Sequence, residues 1–359
     1  MLDFTSALYL GLRHPSWSLQ PWSQFTTGVP AALAAPPDAR EVAQAIATLQ
    51  GCERGTVATS TLHVFWDLFG MLAEQKVAIY VDAGAYPIAR WGVERAAGRG
   101  VPVGAFAHHS PEALRELLRR DAWKRLRPLV VADGFCPGCG IPAPLAAYLD
   151  CVRAFGGRLI LDDTQALGIF GHSPGPDALY GRGGGGMLPW THIGGPDVLV
   201  VSSLAKAFGA PVAVLAGSKA AVEGFESKSE TRMHCSPPSV ACLRAAGHAL
   251  TVNREHGDAL RSRLAGLVAR FRQRAAQAGF HFSGGLFPVQ TLAPPPGIDP
   301  AALYQRLLDR RIRTVLHSAR NGHGPRISFL TTARHVPEAI DHATDALAST
   351  AGWETIARA

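Results

Sequence analysis

No apolar run in this 359-residue chain reaches the ~20 residues that span a bilayer, so no membrane segment is expected. A basic stretch ahead of an apolar core is missing near the N-terminus, which removes the expectation of a secretory signal. Cysteine is sparse. Six residues, at positions 52, 136, 139, 151, 235 and 242, do not make a disulfide framework in a chain this long, and reduced thiols in a cytoplasmic protein are expected. Nucleic-acid motifs are missing too, although the net charge is +7. The arginines between 254 and 274 are mixed with Glu255 and Asp258, the pattern of a solvated helix face. What remains is an ordinary globular composition, 47% hydrophobic and 18% charged, long enough for two compact units.

The most informative segment is Asp197-Val-Leu-Val-Val-Ser-Ser-Leu-Ala-Lys-Ala-Phe-Gly209. An apolar run ends in two hydroxyls and is followed by a lysine among small residues. A lysine just past a buried strand loses hydration, which favours its neutral amine. Neutral amines attack carbonyls, so Lys206 is a candidate for capturing a cofactor aldehyde. Taken alone it is an ordinary surface lysine. A second strand end, Arg158-Leu-Ile-Leu-Asp-Asp-Thr-Gln-Ala-Leu-Gly168, supplies the complementary group. A carboxylate at such an end suits the ring nitrogen of pyridoxal phosphate (PLP), which it keeps protonated so that the ring can accept electrons. Asp162 is that candidate, and alternation along a strand sends Asp163 to the other side.

These two segments resemble the α-oxoamine synthases, fold-type-I PLP enzymes, and the resemblance extends along nearly the whole chain. Asp3-Phe-Thr-Ser-Ala-Leu-Tyr-Leu-Gly-Leu-Arg-His-Pro15 is similar to the family's N-terminal segment. Arg127-Pro-Leu-Val-Val-Ala-Asp-Gly134 with Pro142-Ala-Pro-Leu145, and Arg326-Ile-Ser-Phe-Leu-Thr-Thr-Ala-Arg-His335, follow in the family's order. The resemblance implies a decarboxylative condensation of an amino acid with an acyl thioester, on coenzyme A or a carrier protein, giving an α-amino ketone. The positive net charge suits such an anionic donor. Another PLP reaction on the same scaffold (aminotransferase, decarboxylase or aldolase type) and a non-catalytic partner subunit are the alternatives. Product analysis separates the first two.

Candidate strands over 77–82, 101–106, 129–133, 158–162, 198–202 and 211–216 alternate with stretches of helical period such as 111–120 and 143–155. That alternation predicts an α/β protein with a mainly parallel, doubly wound sheet and ligands at the strands' carboxyl ends. A long helical stretch through Gln277 then leads into a smaller α+β C-terminal domain. The expected divisions are an N-terminal segment 1–36, a large PLP-binding domain 37–253 and a small domain 254–359.

Ala58-Thr-Ser-Thr-Leu62 precedes a helix-like run, where free backbone N–H groups suit a phosphate. The resemblance places the phosphate at Ser60, Thr61 and Leu62, although Ser60 or Thr61 also reads as a plain N-cap. It adds Ser203 as a phosphate hydroxyl and implies a homodimer through the segment around Met233-His-Cys-Ser-Pro-Pro238. Three positions depart from the family. Tyr86 stands where a histidine stacks on the ring, keeping the aromatic cover without titration near neutral pH. Gln165 stands where a second histidine bonds the ring hydroxyl, and its amide can donate. Ala7 replaces an asparagine near the substrate carboxylate, leaving Arg326 as its clamp. The Cys136/Cys139 pair, without a second pair, predicts reduced thiols rather than zinc. The glycine run over 181–186 reads as a mobile loop, the His108–His109 pair as solvated, and no metal is expected.

Overall fold

Continuous apolar runs build the main sheet, and their residues are buried on both sides, as in Val77–Asp82. The computed structural model describes residues 1–292, 297–318 and 324–350. Strands β1 (Arg54–Ala58), β2 (Val77–Asp82), β3 (Val103–Phe106), β4 (Arg127–Asp133), β5 (Arg158–Asp162), β6 (Val198–Ser203) and β7 (Ala213–Gly217) form one sheet. Their spatial order is β1-β7-β6-β5-β4-β2-β3. Strand β7 runs antiparallel to both neighbours and every other pair is parallel. The six expected strands are all present, two of them with the same bounds.

Strand β1 was not expected, because Arg-Gly-Thr-Val-Ala carries little apolar signal. Its place rests on helix α1 (Ala39–Leu49), which packs so closely that a Cβ at Gly55 would lie 2.5 Å from the Ala43 carbonyl oxygen. Helices α2 (Thr61–Leu72) and α3 (Pro87–Gly98) contribute Phe65, Leu68, Phe69 and Val93 to the core that also contains Ile79, Leu129 and Ile160.

The chain divides into two compact units. The larger comprises Leu12–Cys136 and Pro142–Gly257, and the smaller comprises Met1–Gly11, Pro137–Ile141 and Asp258–Ala359. The second division therefore falls after residue 257 rather than after 253. Residues 1–36 do not stand apart: Met1–Gly11 joins the smaller unit because Phe4 is fully buried against Phe329, and Leu2–Asp3 pairs in parallel with Ile312–Arg313. The smaller unit has its own four-stranded antiparallel sheet, ordered Phe282–Ser283, Val289–Leu292, Arg326–Leu330, Val315–His317. No helix among the described residues is long and apolar enough to cross a membrane.

The glycine run over 181–186 corrects the expectation of a mobile loop. Arg182 N–H donates to His172 O at 2.8 Å, Gly168 N–H to Gly184 O at 2.7 Å and Gly186 N–H to Phe170 O at 2.7 Å. Gly186 has φ +88, and a Cβ there would run into Asp163 Oδ2. Only glycine fits that left-handed, crowded position. Asp163 Oδ2 accepts the Met187 N–H at 3.0 Å and opens a short helix, Met187–Thr191, which the sequence pattern did not indicate.

A candidate cofactor site at the strand ends

Strands β4 and β5 end in register, Asp133 beside Asp162. Register partners on parallel strands project to the same face, so the sheet presents two carboxylates side by side. Both resist ionisation. Burial pushes each pKa up, that of Asp133 well above the carboxylate range with the Asp162 charge as the next cause. Asp162 is partly compensated because Thr164 N–H donates to its Oδ1 at 3.0 Å. Thr164 also ties β5 to β6, its Oγ1 accepting the Ser203 N–H at 3.0 Å. Asp163, in contrast, is fully buried and spent on the Met187 amide.

Lys206 follows β6 in a turn closed by a Gly209 N–H to Lys206 O bond of 3.2 Å. Burial lowers its pKa, while the charges of Asp162 and Asp133 work the other way. The amine thus has its pKa lowered beside two acids. Its Nζ lies 5.9 Å from the centroid of the Tyr86 ring, which is 53% exposed. Tyr86 is fixed by three features: Pro87 starts α3, the backbone before it is extended, and its N–H donates to Asp133 Oδ1 at 3.1 Å. Arg90 secures the preceding loop through the carbonyls of Asp82, Ala83 and Ala85.

At the start of α2, Val64 N–H makes the first helical bond, to Ser60 O at 3.3 Å. The amides of Thr61, Leu62 and His63 precede it and have no helical acceptor. Ser60 occupies the N-cap position, but its hydroxyl does not cap; it bonds His63 Nδ1 at 2.8 Å instead. Thr59 Oγ1 donates to Ser236 O at 2.9 Å, bringing the 233–238 segment to this helix end. Ser203 Oγ accepts the Ala205 N–H at 3.2 Å, and both Ser203 and Gln165 are half-buried. Arg326 opens the third strand of the smaller unit's sheet, in register with His317.

Sequence reading missed Asp133 and Thr164. Asp133 ends an apolar strand just as Asp162 does, which is a usable signal; Thr164 shows its role only through the β5–β6 pairing. The histidine pair also needs correction. His108 Nδ1 bonds the buried Asp82 at 2.6 Å, and Asp82 accepts Tyr148 Oη–H at 2.8 Å and the amides of Gly84 and His109. His108 therefore serves a buried carboxylate and is not simply solvated. None of the six cysteines is in a disulfide.

These groups fit PLP on chemical grounds: an amine for the aldehyde, strand-end acids with raised pKa for the protonated ring nitrogen, a ring for its face, and unpaired amides for its phosphate. Fold and site together define a fold-type-I PLP-dependent transferase. The family model for aminotransferases of class I and II matches residues 23–347. The chain is 30% identical over 357 residues to the 8-amino-7-oxononanoate synthase of Sodalis glossinidius (strain morsitans), covering 96% of this chain and 87% of that one. A second 8-amino-7-oxononanoate synthase, from Halorhodospira halophila, is 30% identical over 68% of this chain and 59% of its own. Among solved structures, the Sphingomonas wittichii serine palmitoyltransferase superposes with a TM-score of 0.83 at 18% identity, covering 99% of this chain and 88% of that one. The 8-amino-7-oxononanoate synthase of Francisella tularensis does so with a TM-score of 0.76 at 16% identity, covering 99% of both. The chain belongs to the class I and II aminotransferase family and, within it, to the α-oxoamine synthases.

Proposed function

We propose that this protein joins an amino acid to an acyl thioester with loss of carbon dioxide, releasing an α-amino ketone and a free thiol. The observation that carries this reading is the Lys206 amine, with a burial-lowered pKa, facing the in-register pair Asp133 and Asp162 beneath Tyr86. Bound PLP supplies an aldehyde for an amine and a ring that takes up electron density from the adjoining carbon. Lys206 would hold that aldehyde through its amine, and its Nζ would serve as the base for the α-proton of the amino acid. Asp162 holds the proton on the ring nitrogen. The amides of Thr61 and Leu62, with the hydroxyls of Ser60 and Ser203, hold the phosphate. Tyr86 covers one ring face and keeps water from it, and Gln165 donates to the ring hydroxyl. Arg326 is assigned to the substrate carboxylate by its sequence setting alone.

The names of the curated relatives favour acyl transfer over the other PLP reactions. An acyl group on coenzyme A or a carrier protein, a homodimer completed through the 233–238 segment, and a cytoplasmic location complete the proposal. The test supplies PLP, a panel of amino acids and acyl-CoA esters, and measures free thiol. Thiol release that needs both substrates and falls at least about a thousandfold in Lys206→Ala supports the reading. A keto acid formed from the amino donor without thiol release moves the protein to the aminotransferase alternative.

A further inference from the structure

The 206–209 turn is gripped from outside by a histidine that the chemistry above does not use. His14 Nε2 lies 2.7 Å from the Phe208 carbonyl oxygen, two residues past Lys206. The same segment crowds the turn: a Cβ at Gly209 would lie 2.7 Å from Leu12 O and 3.4 Å from His14 Nε2. A carbonyl only accepts, so His14 Nε2 carries the hydrogen. His14 Nδ1 meets His248 Nδ1 at 2.9 Å, with the rings edge-on at 90°. One of these two nitrogens donates and the other accepts. The pair therefore holds together with no charge or with one, and a second proton breaks it.

We propose that His14 is a positioning residue for Lys206: its Nε2–H fixes the Phe208 carbonyl and with it the turn that aims the lysine, while His248 fixes the His14 tautomer. A hydrogen bond to a turn's peptide plane restricts the first residue of that turn as well as the third. His14 is half-buried, and burial lowers its pKa, with the proximity of His248 acting the same way and the Phe208 bond opposing both. His248 lines a cavity of about 450 Å³ together with Asp38, Glu41, Arg244 and Arg254, which gives protons a route to the pair. Arg244 is itself paired with Asp38 at 3.0 Å. A second proton frees His14 Nδ1 from His248 while Nε2 keeps its hydrogen for Phe208, so acid removes the support of His14 and not its donor.

This inference rests on the PLP reading, and its test separates the two. PLP is titrated into wild type, H14A, H14Q and H248L, following visible absorbance for affinity and its pH midpoint, with melting temperature alongside. H14A is expected to bind PLP about tenfold more weakly and to shift the pH midpoint. H14Q, whose amide places a donor near the lost Nε2, is expected to recover most of both; H248L moves them in the direction of H14A. A folded H14A with wild-type affinity and midpoint overturns the inference. If H14A does not fold, an H248L protein indistinguishable from wild type overturns it. Wild type that takes up no PLP rejects the cofactor reading and this inference together; normal uptake with unaffected variants rejects the inference alone.

Discussion

At the residue scale, the site is a problem of charge. Asp133, half-buried, and Asp162, buried, lie in register, with one lysine close enough to feel both charges. A carboxylate whose folded pKa is raised favours folding in its protonated form. Its stabilisation is full below the ordinary carboxylate range and is lost as pH rises through the folded value. Without cofactor, the protein should therefore lose stability as pH rises above the ordinary carboxylate range, opening a gap between acid and alkaline stability through Asp133. Asp133→Asn keeps an acceptor for the Tyr86 amide and removes the charge. Urea unfolding of the cofactor-free variant should show that gap narrowed. An unchanged gap would mean that the pair is not held short of a cation. Lys206 and Asp162 were legible in the sequence because each ends an apolar run and the family motifs surround them. The Asp133 partnership was not, because register between separate strands decides it.

At the element scale, helix α2 shows how backbone alone makes part of a site. Its first amides face out because the Ser60 hydroxyl turns to His63 rather than capping. Thr61 is the first helical residue, where proline is tolerated, and Ser60 already has the extended backbone (φ −155, ψ 164) that proline requires before it. Thr61→Pro should thus leave the melting temperature nearly unchanged while removing one phosphate donor. Equilibrium binding should show PLP affinity down by about tenfold. A wild-type affinity would move the phosphate away from this helix. Most strands and helices were readable from apolar runs and their period. Strand β1 and the Met187–Thr191 helix were not, since the first depends on the space Gly55 leaves for α1 and the second on Asp163 from a distant strand.

At the scale of the whole molecule, family membership and the α/β architecture were legible from motif order along the chain. The make-up of the smaller unit was not. Nothing in residues 1–11 signals that Phe4 will be buried among residues more than 250 positions later. The chain has five lysines against thirty arginines, so the choice of nucleophile is unusually easy to check. Lys124, Lys219 and Lys228 are paired with Asp121, Glu223 and Glu74, and Lys76 is exposed. Lys206 alone faces the strand-end acids Asp133 and Asp162. The deciding measurement is to load the protein with PLP, reduce it with borohydride and map the modified peptide by mass spectrometry. A single pyridoxyl group on Lys206, absent from Lys206→Ala, is the predicted result. A label on any of the other four lysines, or none on a protein that has bound PLP, would contradict the account.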